Sequence, residues 1–117
     1  RSRHRRQRLA LRPAVAGHRG LRAHDQEPAE QRQRARVEPG VTTRWHRVAG
    51  TLERYVILDG VGRMEIGDYP PQEVQAGDVV MIPPSVRQRI ANVGAGDLVF
   101  LAICTPRFKP EAYADAE

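Results

Sequence analysis

The sequence predicts an all-β fold, and three observations carry that prediction. From residue 31 onward, short apolar runs are separated by turn signals at Pro39-Gly40, Asp59-Gly60, Gly67-Asp68, Pro70-Pro71, Gly77-Asp78, Pro83-Pro84 and Gly94 to Asp97. Within the runs, apolar and polar residues alternate with the period of two that sends successive strand side chains to opposite faces. Helical periodicity appears nowhere with comparable strength.

Residues 1–30 come first and do not share this grammar. Leu9, Leu11, Val15 and Leu21 are their large apolar residues, and Pro13, Gly17, Gly20 and Pro28 interrupt them. Such a segment buries too little to offset chain entropy, so a disordered Arg-rich arm is expected, or at most a frayed helix from Arg3 to Arg12. The lack of an initiator Met and the abrupt change in composition also suggest that the segment is not native sequence.

The expected strands then follow in order: Gln31 to Glu38, Thr42 to Val48, Glu53 to Leu58, Arg63 to Ile66, Glu73 to Gln75, Val79 to Ile82, Arg87 to Asn92 and Leu98 to Cys104. Parity assigns their faces. Glu53, Tyr55 and Ile57 share one face and Arg54 the other; Met64 and Ile66 oppose Arg63 and Glu65; Gln88 and Ile90 oppose Arg87 and Arg89. Val79 to Ile82 and Leu98 to Ile103 are apolar on both faces, so both faces need cover, and a second subunit is expected to supply the outer one. The domain organisation is therefore an arm over 1–30, a barrel over 31–107 and a tail over 108–117. The tail carries Arg107, Phe108 and Tyr113 at or near its start, and is expected to cap a barrel end or pack on a partner.

With 117 residues, 40% apolar and 28% charged, the chain has room for one core. No apolar run approaches the roughly 18 residues of a membrane helix, and no signal-peptide stretch is visible. Cys104 is the single cysteine, which excludes an internal disulfide and a Cys-rich zinc module. A cytoplasmic protein without membrane contact is expected. The net charge of +5 is misleading as a nucleic-acid signal: residues 1–36 hold eleven Arg against three acids, or +8, while Val37 to Glu117 hold eight basic and eleven acidic residues, or −3. Nucleic-acid binding would rest on the arm alone, which lacks aromatics for base stacking.

Two motifs resemble those of the cupin family. Gly40, five residues, His46-Arg47-Val48, four residues, Glu53, six residues and Gly60 follow the spacing of the first cupin motif; Gly77, five residues, Pro83-Pro84-Ser85, two residues, Gln88, three residues and Asn92 follow the second. The resemblance covers about Arg36 to Arg107 and implies a double-stranded β-helix, or jelly-roll barrel. It also implies a metal site made by two histidines and the glutamate of the first motif and a histidine of the second. His46 and Glu53 stand at two of those positions; Val48 and Gln88 replace the other two histidines. One imidazole, one carboxylate and a neutral amide make a poor donor set, so any divalent metal is expected to bind weakly.

The residue readings follow from that placement. His46 is a candidate metal ligand, a general acid or base, or a hydrogen-bonded structural residue. Glu53 is the strongest candidate because a carboxylate inside a barrel must be paired, hydrated or metal-bound; its alternative is pairing with Arg54 or Arg47. Gln88 reads as a binding residue that orients a carbonyl or hydroxyl, and Tyr55 as either a cavity or a core tyrosine. Cys104 reads as a small buried hydrophobe. The leading expectation is a barrel that binds a small polar molecule with His46, Glu53, Tyr55 and Gln88; the alternative is a metal-dependent oxygenase or isomerase using His46 and Glu53.

Overall fold

Residues 30–117 are described by a computed structural model, together with the backbone of two short earlier strands, β1 (Arg5–Gln7) and β2 (Ala10–Pro13). The remaining strands are β3 (Gln31–Val37), β4 (Val41–Thr43), β5 (His46–Val48), β6 (Leu52–Asp59), β7 (Val61–Ile66), β8 (Gln72–Gln75), β9 (Val79–Ile82), β10 (Gln88–Asn92), β11 (Leu98–Thr105) and β12 (Tyr113–Asp115), with one 3-10 turn at Pro110–Ala112. Among the described residues they form two sheets. One runs β1-β4-β10-β5-β12 with β7 on β10 and β8 on β7; the other runs β2-β3-β11-β6-β9. Along the chain the strands cross repeatedly between the two sheets, as a double-stranded β-helix requires.

Two expectations change. The frayed helix over Arg3 to Arg12 is replaced, where residues are described, by β1 running parallel to β4 and β2 antiparallel to β3. Sheet edges supply backbone partners that local propensity does not weigh. The rest of the expected disordered arm lies outside the described residues. The single strand expected over Thr42 to Val48 is two strands, because Arg44 and Trp45 turn out of the ladder to meet the C-terminal tail. Arg44 Nη2 donates to Asp115 Oδ2 at 2.6 Å, and the Ala116 amide donates to the Trp45 carbonyl at 2.9 Å.

The two inner faces meet in a core of Ala35, Val37, Val41, Ile57, Met64, Val74, Ile82, Ile90, Leu98 and Phe100, with Tyr55 leaning on Phe100 at 4.3 Å between ring centroids. Parity explains the gradient along the barrel. On β6 the inward residues run Glu53, Tyr55, Ile57, and on β11 they run Cys104, Ala102, Phe100, Leu98, so each strand passes from a polar end to a sealed apolar one. At the sealed end Asn92 fastens three segments. Its Nδ2 donates to the carbonyls of Val37 at 2.9 Å and Gly96 at 2.8 Å, and its Oδ1 accepts from the Gly94 amide at 2.9 Å. Gly60 closes the turn there with φ 88°, and a side chain in its place would meet the Asp97 carbonyl at 2.5 Å.

The outward residues of β11 are better covered than both-face apolarity suggested. Val99 is buried and Leu101 and Ile103 are half-buried, because β11 is central, between β3 and β6. Apolar exposure moves to the neighbouring strands, where Val79 and Met81 are each 58% exposed and Leu58 44%.

Removing the Asn92 fastening leaves the Val37 carbonyl, whose bond is buried, and the Gly96 carbonyl and Gly94 amide, whose bonds are half-buried, without their partner. Asn92→Ala is expected to lower stability by about 2–4 kcal/mol in denaturant unfolding; a loss below about 0.5 kcal/mol would show that water replaces all three bonds.

Candidate functional site

The polar end of the barrel holds a chamber of about 350 Å³. Its walls come from β3 (Gln31, Gln33), β4 (Thr43), β5 (His46, Val48), β6 (Glu53, Tyr55) and β11 (Ala102, Cys104), with Arg44 between β4 and β5; Phe108, Pro110 and Tyr113 close it from the tail. The tail is thus part of the site. β12 pairs antiparallel with β5, Tyr113 opposite Val48, which sets the Tyr113 ring against His46 with centroids 5.3 Å apart and planes at 19°.

His46 is buried and faces inward with Val48, as alternation across Arg47 demands. Its Nδ1 lies 2.9 Å from the Arg44 carbonyl. A carbonyl only accepts, so Nδ1 carries the proton and, in the neutral ring, Nε2 keeps its lone pair. Burial lowers the His46 pKa, against the Arg44 bond and the Asp115 charge, which raise it.

Glu53 is buried on β6. Parity holds, so neither Arg54 nor Arg47 reaches it: Arg54 pairs with Glu30 at 3.0 Å, and Arg47 is exposed. Glu53 is held by neutral groups instead. Gln88 Nε2 donates to Oε1, and the Cys104 thiol faces Oε2 at 3.9 Å. Burial raises the Glu53 pKa, with these two contacts opposing it, and pushes the Cys104 thiol up to about 12, so the sulfur stays a protonated donor. Burial likewise raises the Tyr55 phenol well above its usual range.

These shifts act oppositely on stability. Native Glu53 binds its proton more tightly than the unfolded chain does, so its contribution is full below the ordinary carboxyl range and is lost as pH rises through the raised value. Native His46 binds its proton less tightly, so its contribution is present above the ordinary imidazole range and is lost as pH falls through the lowered value.

Three of the four expected binding residues, His46, Glu53 and Tyr55, line the chamber. Gln88 does not. It is paired across the ladder with His46, and its Nε2 donates to the Glu53 carboxyl. Sequence reading missed the roles of Thr43, Gln31, Gln33 and Cys104. Inward parity on β3 and β11 marks Gln31, Gln33 and Cys104, but their closeness to Glu53 depends on strand order, β6 and β3 flanking β11, which no local pattern encodes.

The cupin domain family matches residues 33–104, and the chain belongs to that family. No curated protein matches the sequence. Among solved structures, a predicted oxalate decarboxylase of Thermotoga maritima is 30% identical with a TM-score of 0.61, covering 65% of this chain and 65% of that one. The oxalate decarboxylase of Bacillus subtilis is 25% identical with a TM-score of 0.67, covering 75% of this chain; the chain spans 24% of its length. An uncharacterized conserved protein of Klebsiella pneumoniae with a double-stranded β-helix domain is 17% identical, covers 80% of each chain and has a TM-score of 0.69, a likeness of fold alone.

The metal that the family pattern implies does not fit these residues as a tight site. Gln88 occupies one oxygen of Glu53, and the apolar Val48 stands at one ligand position. Among the described residues no group of three or more His, Cys, Asp or Glu side chains is placed to hold an ion.

Because Val48 lines the chamber beside His46 and Gln88 pairs with His46 across the ladder, imidazoles at both positions would complete four donors. The Val48→His, Gln88→His double variant is expected to bind zinc at least about 100-fold more tightly than the natural chain in calorimetry; no gain would mean that these side chains do not converge.

Proposed function

We propose that this cupin-domain chain is a binding module that takes a small polar molecule into the barrel chamber, with His46, Glu53 and Tyr55 as its polar contacts and Gln88 as the residue that orients Glu53. The chamber itself carries this reading. A cavity of about 350 Å³ brings a neutral imidazole, a carboxyl and a phenol together against the apolar surfaces of Val48, Ala102 and Phe108, the mixture typical of small-molecule sites. The likeness to oxalate decarboxylases favours a second reading, an enzyme with His46 and Glu53 at the reacting atoms; the incomplete donor set supports it less.

A fragment screen by NMR tests both. Bound molecules are expected to shift resonances of Tyr55, Ala102 and Thr43, and Ala102→Phe, which fills the chamber, should abolish those shifts while leaving the folded spectrum intact. Shifts that survive Ala102→Phe would place the binding elsewhere and overturn the reading. Turnover of oxalate by the natural chain, lost in Glu53→Gln, would favour the enzyme.

The exposed outer face of the β3-β11-β6-β9 sheet supports a homodimer, with a second copy covering Val79, Met81 and Leu58. Sedimentation should give a dimer at micromolar concentration and a monomer for Val79→Lys, Met81→Lys; a natural chain that is already monomeric would contradict it.

A further inference from the structure

Resting on the binding reading above, we infer that the chamber selects a small organic ammonium ion, an alkylamine in its protonated form, over neutral or anionic molecules of the same size. The polar surface offered to a ligand is rich in acceptors, beside the hydroxyls of Thr43, Tyr55 and Tyr113 and the amide of Gln33, which can accept as well as donate. His46 presents an Nε2 lone pair, since its Nδ1 is committed to the Arg44 carbonyl. Glu53 Oε2 is met only by a thiol at 3.9 Å. Gln31 Oε1, in the chamber wall, is buried with no hydrogen-bond partner. Buried acceptors without donors are costly, and a ligand that brings donors relieves that cost.

Charge points the same way. Among the described residues lining the chamber Arg44 alone is cationic, and both its Nε and Nη2 are held by Asp115 Oδ2, at 3.1 and 2.6 Å. An anion would therefore enter beside Glu53 without a free countercharge. A primary ammonium carries three donors and no acceptor, so it meets the lone pairs without adding another. A hydroxyl brings acceptors of its own. The stacked rings of His46 and Tyr113 at the mouth add an aromatic surface suited to a cation, and Val48, Ala102 and Phe108 suit its alkyl chain.

Calorimetry with n-butylammonium chloride, n-butanol and sodium butyrate, at pH 8 and constant ionic strength, separates the classes, since the alkylamine stays protonated there. The natural chain is expected to bind butylammonium saturably and at least tenfold more tightly than either comparator, and Glu53→Gln should bring butylammonium and butanol to within about threefold. Should that variant fail to fold, the three-way comparison on the natural chain still decides. Butyrate or butanol binding as tightly as the amine would overturn the ammonium assignment and leave the binding reading standing. Binding of none of the three overturns the ammonium assignment alone, because the binding reading is decided by the fragment screen and the Ala102→Phe variant. A preference for the amine that persists in folded Glu53→Gln would overturn the role given to that carboxyl.

Discussion

A carboxyl inside a β-barrel is the constraint on which the rest of this site depends. Placing an ionised carboxylate in a low-dielectric interior without compensation costs several kcal/mol, so the surroundings must supply a cation, a metal or donors, or leave the group protonated. This chain uses donors. Gln88 occupies one oxygen, Cys104 faces the other, and burial raises the pKa. The substitutions that remove two histidines from the family pattern are thus consistent with the glutamate that remains: Gln88 stands where a ligand histidine would and donates to the carboxyl.

The same strands that build the chamber also seal the barrel, and alternation divides the labour. Three inward positions of β6 take the chain from Glu53 through Tyr55 to Ile57, and the tilted Tyr55–Phe100 pair marks where polar lining becomes core. Rigidity at the sealed end comes from Asn92 and its three bonds, and at the open end from the tail. Trp45 separates the two strands whose break lets the tail in. Its ring lies under the guanidinium groups of Arg87 and Arg89, at 4.1 and 4.5 Å, so the segment just before His46 is clamped from the outer face while Arg44 and the Trp45 backbone engage the C-terminus.

The inner face of the barrel was legible in the sequence because period two is a local rule: Glu53, Tyr55 and Ile57, Met64, and Gln88 with Ile90 all point as alternation requires. The two motifs placed His46 and Glu53 in one chamber for the same reason. The break at Arg44 and Trp45 was not legible, since it depends on contacts with Asp115 and Glu117 some seventy residues away in sequence. Nor was the withdrawal of Gln88 from the chamber, which follows from its bond to Glu53 on the opposite sheet. Position 85 shows a departure the spacing alone concealed: Ser85 adopts φ 65°, a left-handed conformation that costs a non-glycine residue about 1 kcal/mol, at the bend that brings its amide to the Val48 carbonyl.

The protonation of Glu53 tests the account most directly. Carbon-13 NMR of its side-chain carboxyl across a pH titration, with and without micromolar zinc, reads the group without perturbing it. A midpoint above the ordinary 4.5, unchanged by zinc, is what a buried carboxyl held by neutral donors predicts. A midpoint at or below 4.5, or one driven down by zinc, would show that a cation or a metal compensates this carboxylate and would contradict the account.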